Sequence, residues 1–192
     1  MSDLHLARVL DALRVGLVIG LPTDTVYGLA ADAFHEQGVR SLFELKRRSG
    51  VKPVPILVAD LEQAAWLAIL DETAIAAAER YWPGPLTLVL RRVAGLPAWV
   101  GSDAAGSVGV RVPDHPAALE VLVAYGPLAV TSANRSGADP AVSDPGAMAE
   151  FGSAVAAYVP GRGGGGLPST VVDLTGPSPR VLRRGPVSWE EP

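Results

Sequence analysis

Cysteine is absent from this 192-residue chain, and histidine occurs only three times, at scattered positions. The lack of cysteine excludes disulfide bonds, thiolate metal sites and thiol nucleophiles, and it suits a reducing compartment. Three scattered histidines disfavour a zinc site. No stretch approaches the ~20 apolar residues of a membrane span, and charged residues interrupt the apolar N-terminus, unlike a signal peptide. We therefore expect a cytoplasmic protein with no membrane partner.

Basic residues are also outnumbered: the chain has 16 basic and 20 acidic side chains, so its net charge is −4. This balance argues against a surface that binds nucleic acid by charge alone. Apolar residues make up 48% of the chain, enough for one continuous core at this length. With no internal repeat, the sequence predicts a single domain over residues 1–192.

Helical and strand patterns alternate along the chain. Apolar spacing and capping residues predict five helices, at the N-terminus and over residues 36–46, 61–70, 71–82 and 114–126. Asp71 and Asp114 are the expected caps of the last two, with Pro116 in the final helix's first turn. Short β-branched runs bounded by Gly or Pro predict strands between and after the helices. The tight TGPSP turn joins the last two strands, so we expect an α/β fold with a mixed sheet.

Four cations gather in the stretch LFELKRRSGVKP, residues 42–53. Basic residues at a helix C-terminus can simply lie in solvent, favoured by the helix dipole. Alternatively, Gly50 ends the helix and Pro53 extends the chain, so that Lys46 and Arg48 point to the same side. The spacing leaves both interpretations open.

Arg111 interrupts an apolar strand, SVGVRVP. Alternation sends its valines to one face and Ser107, Gly109 and Arg111 to the other. The arginine either lines a cleft and binds an anion bidentately or extends along the surface into solvent.

Polar residues follow two further strands. Val130, Ser132 and Asn134 share parity in LAVTSAN, and Thr23, Asp24 and Thr25 follow the strand GLVIGLP. They are turn formers or ligand contacts at the strand ends, where open α/β sheets bind ligands.

Several reaction types are excluded. The run GRGGGG, residues 161–166, lacks the lysine of a P-loop and is expected to be a mobile loop. No Ser-His-Asp or paired-carboxylate pattern is visible. The remaining cations and small polar groups suit phosphoryl or nucleotidyl transfer.

Seven motifs in order resemble those of the YrdC family of threonylcarbamoyl-AMP synthases: PTDTVYGL, LKRRSGVKP, WPGPLTLVL, SVGVRVPDHP, TSANRSG, PSTVVDL and VLRRGPV. The resemblance covers about residues 13–186. It implies a twisted, mostly mixed sheet with flanking helices around a concave cavity, and the short form of the family without a further C-terminal domain. The implied reaction joins L-threonine, bicarbonate or CO2, and ATP into threonylcarbamoyl-AMP and pyrophosphate, the first step of t6A37 modification of tRNA.

The resemblance also implies the site. The catalytic tetrad would be Lys46, Arg48, Ser132 and Asn134. ATP, with Mg2+ on its phosphates, would be held by Arg48, Lys52, Ser107, Ser132, Asn134 and Arg183. Threonine would be held by Thr25, Arg111, the backbone at Val130 and Ser169. A separate transferase complex would receive the product, and the protein would be a monomer or homodimer.

Two positions depart from the family pattern. Many relatives carry Asn where Lys52 stands and His where Leu57 stands, and Leu57 cannot donate a hydrogen bond to an amino acid. Three alternatives stay open: a non-enzymatic RNA-binding protein with weak tRNA affinity, a carbamoyl-adenylate unit like that of hydrogenase maturation proteins, and an inactive paralogue.

Overall fold

The computed structural model describes residues 1–47, 54–102 and 105–191, and within them the chain forms a single α/β domain. The helices are α1 (Asp3–Arg14), α2 (Glu36–Leu45), α3 (Leu61–Ala65), α4 (Glu72–Tyr81), α5 (Pro116–Tyr125) and α6 (Asp144–Phe151), followed by a 3-10 turn at Gly152–Ala154. The strands are β1 (Ile19–Pro22), β2 (Tyr27–Asp32), β3 (Ile56–Leu57), β4 (Leu86–Arg91), β5 (Ser107–Arg111), β6 (Leu128–Ser132), β7 (Ala157–Tyr158), β8 (Thr170–Asp173) and β9 (Arg180–Arg183).

The nine strands form one open, mixed sheet in the order β7-β1-β2-β6-β3-β5-β4-β8-β9. β1 pairs with β7, β3 with β5, and β4 with β8 in parallel, and the other neighbours are antiparallel. The predicted mixed α/β sheet is therefore confirmed, including the antiparallel turn between β8 and β9.

Each face of the sheet carries its own apolar core. Alternate residues of a strand point to opposite faces, and on β6 Ala129 belongs to one buried cluster while Leu128 and Val130 belong to the other. The second cluster packs α1 and α5 over the half of the sheet that contains β1. The candidate site residue Arg111 lies on this second face, because Arg111 pairs with Leu57, and Leu57 with Leu128.

Two local predictions were wrong, and tertiary contacts explain both. Residues 61–70 are not one helix: α3 ends at Ala65, and Ala68 pairs with Arg92 instead. Asp114 does not cap α5, because Pro116 begins the helix and holds His115 extended (φ −144°, ψ 119°) at the cap position. Asp71 does cap α4, accepting from the amide of Ala74.

Two elements were not predicted. β2 reads YGLAAD, whose small residues carry little strand signal. α6 reads DPGAMAEF, in which Pro and Gly weaken the helical pattern. β2 matters for the site, because the turn before it carries Thr23, Asp24 and Thr25.

Candidate active site

A cavity of about 400 Å³ opens on the second face of the sheet, beside the ends of β6, β3 and β5. Its volume falls within the ~300–1,000 Å³ typical of small-molecule sites. Eight predicted site residues line it: Thr25, Lys46, Arg111, Val130, Ser132, Asn134, Ser169 and Arg183. Leu57 contributes an apolar patch to the wall.

Lys46 is buried, and its ammonium group contacts residues at the end of β6. It follows α2 directly and is only 6% exposed. Its Nζ shares its three protons among four oxygens: the carbonyl and hydroxyl oxygens of Ser132 at 2.7 and 3.1 Å, and the carbonyl and side-chain oxygens of Asn134 at 3.0 and 2.7 Å. The interpretation of Lys46 as a solvent-exposed helix end is therefore wrong. We call Lys46, Ser132 and Asn134 the Lys46 cluster.

Hydrogen bonds within and beside the Lys46 cluster fix the orientation of the Asn134 side-chain amide. Ser132 Oγ donates to Asn134 Oδ1 at 2.6 Å. Asn134 Nδ2 donates to the carbonyls of Ala138 at 2.6 Å and Arg135 at 3.2 Å. Because Asn134 Oδ1 meets only donors and Nδ2 meets only acceptors among these contacts, the amide has one orientation.

Arg111 is the second buried cation, at 5% exposure. Its Nη2 forms an ion pair with Asp24 Oδ1, its Nη1 donates to Thr25 Oγ1 at 3.0 Å, and its Nε donates to the carbonyl of Gly84 at 2.9 Å. These three contacts orient the guanidinium, and two of its five N–H groups remain beyond them. The surface interpretation of Arg111 is wrong. We call Thr23, Asp24, Thr25 and Arg111 the Arg111 cluster.

Burial lowers the pKa of Arg111 from its ordinary value, while the charge and hydrogen bond of Asp24 act in the opposite direction. The nearby charge of Arg183 lowers the pKa of Arg111 further, and burial lowers that of Arg183 itself. Arginine nevertheless remains protonated in proteins. Two cationic guanidinium groups thus share this part of the cavity.

Ser169 contacts Arg183 through both its backbone and its side chain. Arg183 donates through Nε to the carbonyl of Ser169 at 2.9 Å and through Nη2 to its hydroxyl at 3.0 Å. The Ser169 hydroxyl also lies 2.8 Å from that of Thr87. Ser169 and Arg183, predicted to hold different ligands, are in direct contact.

Known proteins have a similar fold and related sequences. Residues 11–185 match the model of the Sua5/YciO/YrdC family, which is described as telomere recombination. This chain belongs to the Sua5/YciO/YrdC family.

Relatives in the Sua5/YciO/YrdC family carry a consistent name. A threonylcarbamoyl-AMP synthase of Escherichia coli is 39% identical over 94% of this chain and 95% of its own length. A Mycobacterium tuberculosis protein, provisionally given the same name, is 41% identical over 96% of this chain and 86% of its own. The structure of Pyrococcus abyssi Sua5 complexed with L-threonine is 36% identical, with a TM-score of 0.87. It matches 96% of this chain, which spans only 55% of the Pyrococcus chain.

Three residues predicted from the family resemblance are not among the described residues that line the cavity. Arg48 and Lys52 lie outside the described residues. Ser107 is described but does not line the cavity. It begins β5, four residues before Arg111, which separates their backbones by about 13 Å.

Val130 has a backbone constraint of its own. Its amide donates to the carbonyl of Pro55 at 3.0 Å. A ligand that contacts the backbone here must therefore bind a group other than the Val130 amide.

The sequence left open whether Thr23 and Asp24 only form a turn or belong to the site. Their contacts with Arg111 and Thr25 place them in the site. The glycine run 161–166 lies over the same turn: Gly164 donates to the carbonyl of Thr23 and Gly166 to that of Thr25, both at 3.1 Å. The predicted mobility of this run stays a prediction, and these contacts tie it to the site.

The described part of the chain offers no cluster of three or more acidic or histidine side chains that could hold a metal ion. The described cavity lining consists of cationic, hydroxyl, amide and apolar groups, without a carboxylate. Mg2+ prefers carboxylate and phosphate oxygens, so these residues do not fit a magnesium ion held by the protein alone.

None of the described helices has the length and apolar character needed to cross a bilayer.

Proposed function

We propose that this protein is an L-threonylcarbamoyladenylate synthase, which converts L-threonine, bicarbonate or CO2, and ATP into threonylcarbamoyl-AMP and pyrophosphate. The observation that carries the proposal is the convergence of Lys46, Ser132, Asn134 and Arg111 on one cavity. The names of the bacterial relatives, which match nearly the whole chain, support the same activity.

The reaction has two steps. The threonine amine attacks the carbon of CO2 and loses a proton, which gives a carbamate. A carbamate oxygen then attacks the α-phosphorus of ATP in line, and the bond from that phosphorus to the pyrophosphate oxygen breaks. Both reactants are anionic at the second step, so catalysis consists mainly of positioning them and offsetting their repulsion.

Threonine is assigned to the Arg111 cluster. The remaining N–H groups of Arg111 match the two oxygens of an α-carboxylate. Thr25 contacts Arg111 directly, and Ser169 and Val130 also line the cavity. The complex of Pyrococcus abyssi Sua5 with L-threonine supports an amino acid as the ligand of this fold.

The nucleotide is assigned to the Lys46 cluster. Lys46 is a buried cation that lines the cavity beside the end of β6, and Ser132 and Asn134 are held in place around it. Arg183 would reach the nucleotide from the side of Ser169, and the assignment extends to Arg48, Lys52 and Ser107. Mg2+ would arrive bound to the phosphates as part of the substrate.

Downstream, the mixed anhydride requires an acceptor, and we infer a tRNA-modifying transferase complex that uses it for t6A37. The protein would work in the cytoplasm as a monomer or homodimer. Direct tRNA binding would be weak, because the net charge is −4.

Pyrophosphate release from ATP tests the proposal. We expect release that requires both L-threonine and bicarbonate, with threonylcarbamoyl-AMP identified by mass spectrometry. Release that is independent of threonine, or absent, would contradict it. A filter-binding assay with tRNA at low and high salt, run in parallel, distinguishes an RNA-binding protein without synthase activity.

A further inference from the structure

In the turn between β1 and β2, one contact determines which threonine hydroxyl donates its proton and which accepts. Thr23 Oγ1 lies 2.6 Å from the carbonyl oxygen of Val26. A carbonyl oxygen can only accept, so the hydroxyl of Thr23 must place its single proton there. Thr23 is only 2% exposed, which leaves water little access to compete for that proton.

The direction of the Thr25 hydroxyl follows from that of Thr23. The two hydroxyl oxygens are 3.0 Å apart. Because the proton of Thr23 is committed to Val26, the Thr25 hydroxyl is the donor in this contact. It shares the lone pairs of Thr23 with the backbone amides of Thr25 and Val26, which lie farther away, at 3.3 Å. Thr25 Oγ1 also accepts from Arg111 Nη1 at 3.0 Å. One lone pair of Thr25 is left, so towards a ligand this hydroxyl can act only as an acceptor.

The surrounding backbone prevents the turn from relaxing to another arrangement. The glycine run donates to the carbonyls of Thr23 and Thr25. It packs so closely that a Cβ on Gly163 would lie 2.6 Å from the amide nitrogen of Tyr27, and a Cβ on Gly164 would lie 2.2 Å from the carbonyl oxygen of Asp24. Glycine is therefore required here for close backbone approach.

Bound threonine has one donor that matches this acceptor. Its carboxylate is assigned to Arg111, and its amine must face the nucleotide for the carbamate to reach the α-phosphorus. The side-chain hydroxyl is the remaining polar group, and Thr25 contacts Arg111 directly. A ligand with an acceptor in place of that hydroxyl would set two lone pairs against each other.

We propose that Thr23 is a specificity-determining positioning residue: by accepting the proton of Thr25, it makes Thr25 an acceptor that selects an amino acid with a hydrogen-bond donor on its β-carbon. This inference rests on the proposed function. Thr23 acts through Thr25 and need not touch the substrate itself.

The test compares Thr23→Val with Thr23→Ser, using kcat/KM for pyrophosphate release. Three amino acids are compared: L-threonine, L-serine, and the threonine analogue in which fluorine replaces the hydroxyl. Fluorine accepts weakly and cannot donate. In Thr23→Val the proton of Thr25 is released and can turn towards the ligand, so the preference for threonine over the fluoro analogue should fall about tenfold or more. Thr23→Ser keeps the hydroxyl and should stay within about threefold of the unmodified protein.

Serine separates this effect from a loosened pocket. It keeps the hydroxyl and lacks only the methyl group, so the preference for threonine over serine should stay within about threefold in Thr23→Val. A merely structural role of Thr23 would lower both preferences together. Thr170→Val is the matched control, because Thr170 is 1% exposed and its hydroxyl also donates to a carbonyl, that of Val187 at 2.8 Å, yet it does not line the cavity.

An unchanged preference against the fluoro analogue in Thr23→Val would overturn the proposal, as would an equal change in Thr170→Val. If Thr23→Val does not fold, Thr23→Ala removes the same hydroxyl with less bulk. If the unmodified protein releases no pyrophosphate, the proposed function fails, and the same preferences are measured as dissociation constants by calorimetry. Absence of L-threonine binding to the unmodified protein would overturn both.

Discussion

The two buried cations of the cavity are held in different ways. Arg111 is braced by a carboxylate, a hydroxyl and a carbonyl from two separate segments: Asp24 and Thr25 in one turn, and the backbone of Gly84. Lys46 instead binds four oxygens that all belong to Ser132 and Asn134, at the end of one strand. The Arg111 cluster thus orients one planar group for a ligand, whereas the Lys46 cluster uses a cation to organise its neighbours.

The difference implies different consequences of mutation. Loss of Lys46 should disturb every member of its cluster at once, because all of them depend on the ammonium group. Loss of the Arg111 fork should affect only the ligand that the fork holds.

Lys46→Ala should have the largest effect. It removes a charge from the nucleotide region and releases Ser132 and Asn134, so turnover in the pyrophosphate assay should fall about 10²- to 10³-fold. Arg48→Ala is expected to have an effect of similar order. Arg14→Ala is the control, because Arg14 pairs with Asp11 on the surface. Near-normal turnover of Lys46→Ala would remove this residue from the mechanism.

Arg111→Lys keeps the charge and removes the planar fork. The KM for L-threonine should rise about 100-fold, while the KM for ATP changes less than about threefold. Steady-state kinetics with each substrate varied in turn measures both values. A parallel rise in the two constants would contradict the separation of the clusters.

Asp24→Asn should have a smaller effect of the same kind, because the amide still accepts a hydrogen bond from Arg111 but no longer carries the charge that fixes the guanidinium. We expect the KM for L-threonine to rise about tenfold. Asp173→Asn is a matched control: the side chain of Asp173 is 14% exposed, against 13% for Asp24, and it pairs with Arg180 at 3.0 Å. An equal effect of the two changes would show that Asp24 has no special role.

Leu57→Ala should give the smallest effect. Leu57 is the strand partner of Arg111 and lines the cavity, so it is placed to contact the methyl group of threonine. The preference for threonine over serine, measured as a ratio of kcat/KM, should fall about three- to tenfold. Leu128→Ala removes a buried leucine on the neighbouring strand that does not line the cavity, and it should leave this ratio unchanged even where stability falls.

The sequence predicted the parts of the site that local patterns encode. Alternation along β5 placed Arg111 opposite its valines, and shared parity on β6 grouped Ser132 with Asn134. The resemblance to a known family added Lys46 and Ser169. These residues line one cavity.

The contacts that cross the sheet could not be predicted in this way. Asp24 and Arg111 are 87 positions apart, and no periodicity joins a turn to a distant strand. The direction of the Thr23 and Thr25 hydroxyl groups depends on a single carbonyl contact within the turn that precedes the unpredicted strand β2. The cap of α5 was misassigned for a related reason, since the proline determined where the helix begins.

Calorimetric titration of L-threonine and ATP into Lys46→Ala and Arg111→Lys tests most directly whether the cavity holds its two reactants with separate clusters. We predict that Lys46→Ala weakens ATP binding about tenfold or more and leaves threonine within about threefold, and that Arg111→Lys does the reverse. If Arg111→Lys binds L-threonine as tightly as the unmodified protein, or if both variants lose both ligands equally, the two clusters do not hold separate reactants.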